Sequence, residues 1–110
     1  MLAASNRLDR TAFTHCFKAG KRVSGAHLQI ITGHSPTFKA AVVVSKKVLK
    51  KAHDRNRLRR QIYAILYNFW LVERYQKTII VLVKPSLASL SARARVLAVR
   101  VELGVLLNQR

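Results

Sequence analysis

Between Ser45 and Trp70 the chain reads SKKVLKKAHDRNRLRRQIYAILYNFW, and its first half gathers Lys46, Lys47, Lys50, Lys51, Arg55, Arg57, Arg59 and Arg60 around one acid, Asp54. Cations at this density bind anions, and the planar guanidinium fork matches two phosphate or carboxylate oxygens at once. The second half has helical spacing. Leu58, Ile62, Ile65, Leu66 and Phe69 fall on one face, so the cations crowd the point where this helix must begin. A helix N-terminus already carries partial positive charge from its unpaired N–H groups. Cations there oppose local helix stability, and only Asp54, which the sequence suggests as N-cap, follows the rule. A phosphate-bearing partner would satisfy the exposed N–H groups and the side chains together.

Composition points the same way. The 110 residues include 21 Lys and Arg against four acids (Asp9, Asp54, Glu73 and Glu102), a formal net charge of +17. Such charge repels itself in a compact domain, and a polyanion offsets it: nucleic acid first, an anionic membrane surface second. Hydrophobic residues make up 50% of the chain, enough for a core and too many for a disordered basic tail. A membrane surface fits poorly, because the cations cluster at a helix entrance and do not line a long polar face. The apolar runs AAVVV and IIVLV are too short to cross a bilayer. MLAASNRLDR at the start becomes charged before a signal-peptide core can form. A single cytoplasmic domain over residues 1–110 is expected.

The same inventory limits what the protein can catalyse alone. Acid–base pairs and metal-ion sites need convergent carboxylates or histidines. Here the acids are scattered, and Cys16, His15, His27, His34 and His53 have no metal-ligand spacing. A histidine-based nuclease would need two of these histidines to converge. No catalytic residue and no protein-held metal are assigned.

The elements that must position the cations follow from local pattern. RTAFTHCFKAGKR predicts a short helix with Asp9 or Thr11 as cap and Gly20 as stop, and Phe13 and Phe17 share a face. KRVS and HLQIIT read as strands, the second placing Leu28 and Ile30 on one side and Gln29 and Ile31 on the other. GHSPT reads as a turn. FKAAVVVS and KTIIVLVKP are β-branched runs of the kind buried on both faces, and Pro85 closes the second. On the middle helix Asn56, Arg60, Tyr63 and Tyr67 form a second stripe. SLSARARVLAVRVELGVLL predicts a final helix. The order α-β-β-β-α-β-α implies an α/β fold: an α+β two-layer sandwich on a mixed four-stranded sheet, with the middle helix crossing between central strands.

SKK closing a strand, a short basic connector and RNRLRR opening a helix resemble the bacterial ribonuclease P protein component. Arg55, Asn56, Arg57, Leu58, Arg59 and Arg60 match its RNR signature position by position. Arg7 and Leu8, the Phe-x-x-x-Phe helix and the element order carry the likeness over nearly the whole chain. The resemblance implies a subunit of a ribonucleoprotein endoribonuclease that removes the 5′ leader from precursor tRNA. It further implies that the catalytic RNA and its bound Mg2+ perform the hydrolysis. Lys46, Lys47, Lys50, Lys51, Arg55, Asn56, Arg57, Arg59 and Arg60 would then bind RNA, and Phe13 and Phe17 would line a cleft for the single-stranded leader. Aromatic faces accept any base by stacking, although the Phe spacing fits core packing of a short helix equally well.

The implied partners are the catalytic RNA and precursor tRNA, with neither DNA nor membrane. A left-handed crossover is also implied, against the usual handedness. Several positions depart from the family pattern. Tyr63 and Ala64 stand where an Arg and an acid are frequent, Ile31 where an aromatic commonly faces the leader, and Val43 where a polar residue is frequent. Lys50 and Lys51 fill a connector that frequently contains glycine. From composition alone, the alternative is a general basic RNA-binding or ribosome-associated protein.

Overall fold

The structure, a computed structural model, describes residues 7–34, 37–73 and 77–107. Asp9 starts the first helix, α1 (Arg10–Ala19), by accepting the Ala12 N–H on Oδ1 at 2.8 Å, which satisfies one of the orphan donors of the first turn. Gly20 ends it for lack of space. Its φ is an ordinary −72°, but a Cβ there would lie 2.6 Å from both Cys16 O and Ile31 Cγ2. The chain can therefore turn directly into β1 (Lys21–Ser24), which pairs antiparallel with β2 (Leu28–His34). β2 takes in Gly33 and His34 of the expected turn, whose Ser35 and Pro36 lie outside the described residues. β3 (Lys39–Val43), α2 (Ala52–Glu73), β4 (Lys77–Val83), a short 3-10 turn over Pro85–Ser89 and α3 (Ala92–Leu107) complete the order.

The sheet runs β1-β2-β4-β3, with β3 parallel to β4 and the other pairs antiparallel. The expected mixed four-stranded α/β arrangement holds, with α2 as the crossover. One detail differs: α2 joins the edge strand β3 to the central β4, not two central strands. Within β3, Ala40 and Val42 are buried, Ala41 is half-buried and Val43 is 37% exposed. The β-branched run there packs one face only, whereas β4 buries Ile79, Ile80 and Val81 on both faces.

The main core lies between one face of the sheet and the pair α2 and α3. Leu28, Ile30, Ile79 and Val81 meet Leu58, Ile62 and Leu66 of α2 and Val99 and Leu103 of α3. Each such side chain contributes about 1.5–3 kcal/mol on full burial. Phe69 and Tyr67 pack at the rim of this core, and the Trp70 side chain lies outside the described residues. α1 covers part of the opposite face, where Cys16 and Phe13 meet Ile31 and Ile80.

A polar clamp fixes α3 to the β1–β2 turn. The Glu102 carboxylate accepts the His27 and Leu28 N–H groups at 2.8 and 2.9 Å, and a Cβ at Gly25 would collide with it. Lys84 Nζ donates to Gly25 O at 2.7 Å. Among the described residues, no helix is long and apolar enough to cross a membrane.

Candidate nucleic-acid interface

The basic connector is shaped by what it buries. Ser45 O accepts the Val48 and Leu49 N–H groups at 3.0 and 3.3 Å, and this turn drives Val48 into the core while leaving Lys46 and Lys47 in solvent. α2 then begins earlier than the sequence suggests. The Arg55 N–H donates to Lys51 O at 3.1 Å, which places Lys51 at the cap. Asp54 is therefore not the N-cap. It sits in the first turn, where its charge still complements the helix dipole, and its Oδ1 is 3.8 Å from His53 Nδ1.

The motif residues divide by role. Arg55 Nη1 donates to Leu49 O at 3.0 Å and Lys50 O at 2.6 Å, so this guanidinium ties the connector to the helix. Arg59 Nη2 donates to Asn56 Oδ1, and Lys50, Lys51, Arg57 and Arg60 are exposed. Successive α2 residues point about 100° apart. Asn56, Arg59 and Tyr63 thus lie towards β3, Arg57 lies towards α3, and Arg60 crowns the ridge between them.

On the β3 side, Tyr63 closes the sheet edge. Its hydroxyl accepts the Val42 N–H at 3.2 Å, and the Leu8 N–H donates to Ala40 O at 3.1 Å. Groups that an edge strand would otherwise leave open are thereby used. The Arg7 guanidinium lies 5.3 Å from the Tyr63 ring centroid, a cation–π distance. Where an Arg is frequent in the resembled family, this chain places a tyrosine that braces the edge and holds a second arginine above it. Ala64 beside it is exposed.

A second surface forms on the α1 face. Strand alternation puts Gln29, Leu82 and Val43 in one cross-strand row and Ile31, Ile80 and Ala41 in the next. α1 covers the second row and fully buries Ile31, so Ile31 does not face a strand of RNA lying on this surface. Phe13 is half-buried, whereas Phe17 is 38% exposed, and their rings stack 5.9 Å apart at 19°. Arg22 lies 4.5 Å from the Phe17 centroid. Its Nη2 donates to Phe17 O at 2.7 Å and its Nη1 to Gln29 Oε1 at 3.4 Å. The result is an apolar strip with an aromatic wall, one cation and one amide, a composition suited to stacking bases beside phosphates. The residue missed from sequence is Arg22. The antiparallel register sets Arg22 opposite Ile31 on the α1 face, and that pairing comes from the sheet, which the strand period alone does not encode.

Cys16 sits beneath this surface, 5% exposed. Burial pushes its thiol up from the ordinary value, and the nearby Arg22 charge opposes the shift. His27 Nδ1 is 2.9 Å from Ser86 Oγ in the β1–β2 clamp. Among the described residues, no three His, Cys, Asp or Glu side chains converge as a metal site would require.

Residues 2–102 match the Ribonuclease P family. A Synechococcus ribonuclease P protein component is 41% identical over 73 residues, 60% of this chain and 55% of that protein. Another from Microcystis aeruginosa is 40% identical over 63 residues, 52% of each. The matched stretch spans about half the length of these curated relatives. The RNase P protein from Thermotoga maritima superposes with a TM-score of 0.80 at 25% identity, over 94% of this chain and 97% of that one. The Staphylococcus aureus RNase P protein shares the fold at a TM-score of 0.70 and 21% identity, over 93% and 92% of the two chains. A match that runs from before α1 to within α3, together with the RNR block on its helix, makes this chain a member of the Ribonuclease P protein family.

Proposed function

We propose that this domain is the RNA-binding protein subunit of ribonuclease P, and that it helps a catalytic RNA remove the 5′ leader of precursor tRNA in the cytoplasm. The observation that carries this is the exposed set Lys46, Lys47, Arg57 and Arg60 around the start of α2, where Asp54 is the one acid of the segment. Phosphates of the catalytic RNA meet these cations and release their counterions. On the α1 face, a single-stranded leader stacks on Phe17 while Arg22 offsets the charge of its backbone. Hydrolysis is assigned to the RNA with Mg2+. The domain's part is to bind and position RNA.

Reconstitution tests this. Added to ribonuclease P RNA, the protein should lower the Mg2+ requirement and the KM for precursor tRNA, with a preference for leader-bearing over mature tRNA. Cleavage by the protein without RNA, or equal affinity for both tRNA forms in the presence of the RNA, would overturn it.

A further inference from the structure

Arg57 points away from Arg59, its partner Asn56 and the β3 side of α2. It lines a pocket with Leu49, Asp54 and Gln61, and the far wall is Ala92 and Arg95 of α3. Ala52 and Ala92 are the first residues of α2 and α3, so two helix N-termini converge here and add positive potential to the two guanidiniums. The α3 start is capped by Ser91, whose Oγ accepts the Ala94 N–H at 3.2 Å. Arg95 Nη2 donates to Ala88 O at 3.4 Å, but its Nε is buried without a hydrogen-bond partner. A buried donor left unpaired costs roughly 1–3 kcal/mol, more when charged. Asp54 is the one acid of the lining. Lys50 and Arg93, chain neighbours of the lining, are exposed.

We infer that this α2–α3 pocket holds a backbone phosphate from a second segment of RNA, apart from the segment that Asn56 and Arg59 meet on the other flank of α2. The inference rests on the RNA-subunit reading above and deepens it. Arg57 and Arg59, two positions apart, project about 160° from each other around the helix. One strand cannot lie along both flanks without wrapping the helix. α2 therefore acts as a wedge between two RNA segments, with Arg57 and Arg95 gripping one of them.

Tethered hydroxyl-radical cleavage separates the two contacts. Cys16 is buried with its thiol pushed up, so an iron chelate can be attached selectively to Arg93→Cys or to Lys47→Cys. Chelate at position 93 should cut nucleotides of the ribonuclease P RNA distinct from those cut from position 47. Cutting from 47 alone, or the same nucleotides from both, would remove the second contact and leave the RNA-subunit reading standing. Silence at both positions would remove both. The pocket itself is tested with Arg95→Met and Arg95→Lys. Arg95→Met should flatten the log–log salt dependence of RNA affinity by about 0.7–0.9, and Arg95→Lys should retain most of it. An unchanged slope with lowered stability would make Arg95 a packing residue only. Inorganic phosphate is the control for a free anion: protection of the wild type against urea without cutting from position 93 would make the pocket a phosphate site that RNA does not use.

Discussion

The Tyr63 hydroxyl, on the middle helix, accepts the backbone N–H of Val42, on the edge strand, at 3.2 Å. The bond closes the open side of β3 with a residue of the crossover that follows it. Tyr63→Phe leaves the ring in place beneath Arg7 and removes only the acceptor. Urea unfolding should show a loss of about 1 kcal/mol from the stranded N–H, with an unchanged m-value. Equal stability would mean that water satisfies Val42 as well as the hydroxyl does.

Arg55 and Arg60 belong to one motif but have different surroundings. Arg55 holds the carbonyls of Leu49 and Lys50, while Arg60 stands exposed. Arg60→Ala should leave the unfolding midpoint nearly unchanged and reduce the magnitude of the salt slope of RNA binding by about 0.7–0.9. Arg55→Ala should weaken RNA binding through a loosened connector, with a lowered midpoint. If both variants change stability alike, the division of roles is wrong.

The stacked phenylalanines also divide. Phe13 packs on Ile31 and Ile80, while Phe17 remains 38% exposed against Arg22. Phe17→Ala should cost little stability and lower the affinity for leader-bearing precursor relative to a leaderless one, by about 1–3 kcal/mol if one base stacks there. Phe13→Ala should chiefly destabilise, since it removes part of the smaller core. A Phe17→Ala protein that unfolds would return both rings to a packing role.

What could be read from the sequence was what repeats locally. The stripe Leu58, Ile62, Ile65 and Leu66 on α2 and the pair Leu28 and Ile30 on β2 became core because helical and strand periods show in short windows. The exposed cations were legible because their number near the helix start exceeds any local partner. The start of α2 was not legible, since Asp54 has the chemistry of a cap while the fold puts Lys51 there. β3 looked doubly buried because Val42, Val43 and Val44 share a chemical type. Its edge position is set by β4, which lies beyond the 22-residue α2. Arg22 on Phe17, Tyr63 on Val42 and Arg57 facing Arg95 depend on the tertiary fold, and no local period encodes them.

The clamp on α3 gives a prediction away from the basic surface. Glu102 accepts two backbone N–H groups from the β1–β2 turn, a pair of charge-assisted bonds that a neutral amide would make more weakly. Glu102→Gln should lower stability by about 1–3 kcal/mol and leave the salt slope of RNA binding unchanged. A changed slope would place the α3 clamp within the RNA footprint.

Cys16 supplies a pH dependence with a definite sign. Burial raises its thiol pKa in the folded chain, and Arg22 only partly opposes this. The folded state then keeps its proton to higher pH than the unfolded state, whose thiol titrates near about 8.5. Between these two values the folded protein binds more protons, so its stability falls as pH rises. Other groups titrate in the same range, so the comparison is with Cys16→Ser, which has the same background and no thiol. The difference in unfolding free energy, wild type minus Cys16→Ser, should be constant below pH about 7.5 and shrink as pH rises through about 8.5. A difference that grows over that range would mean that Arg22 stabilises a thiolate more than burial disfavours it, and the packing of Cys16 against Ile31 would have to be looser than its geometry indicates.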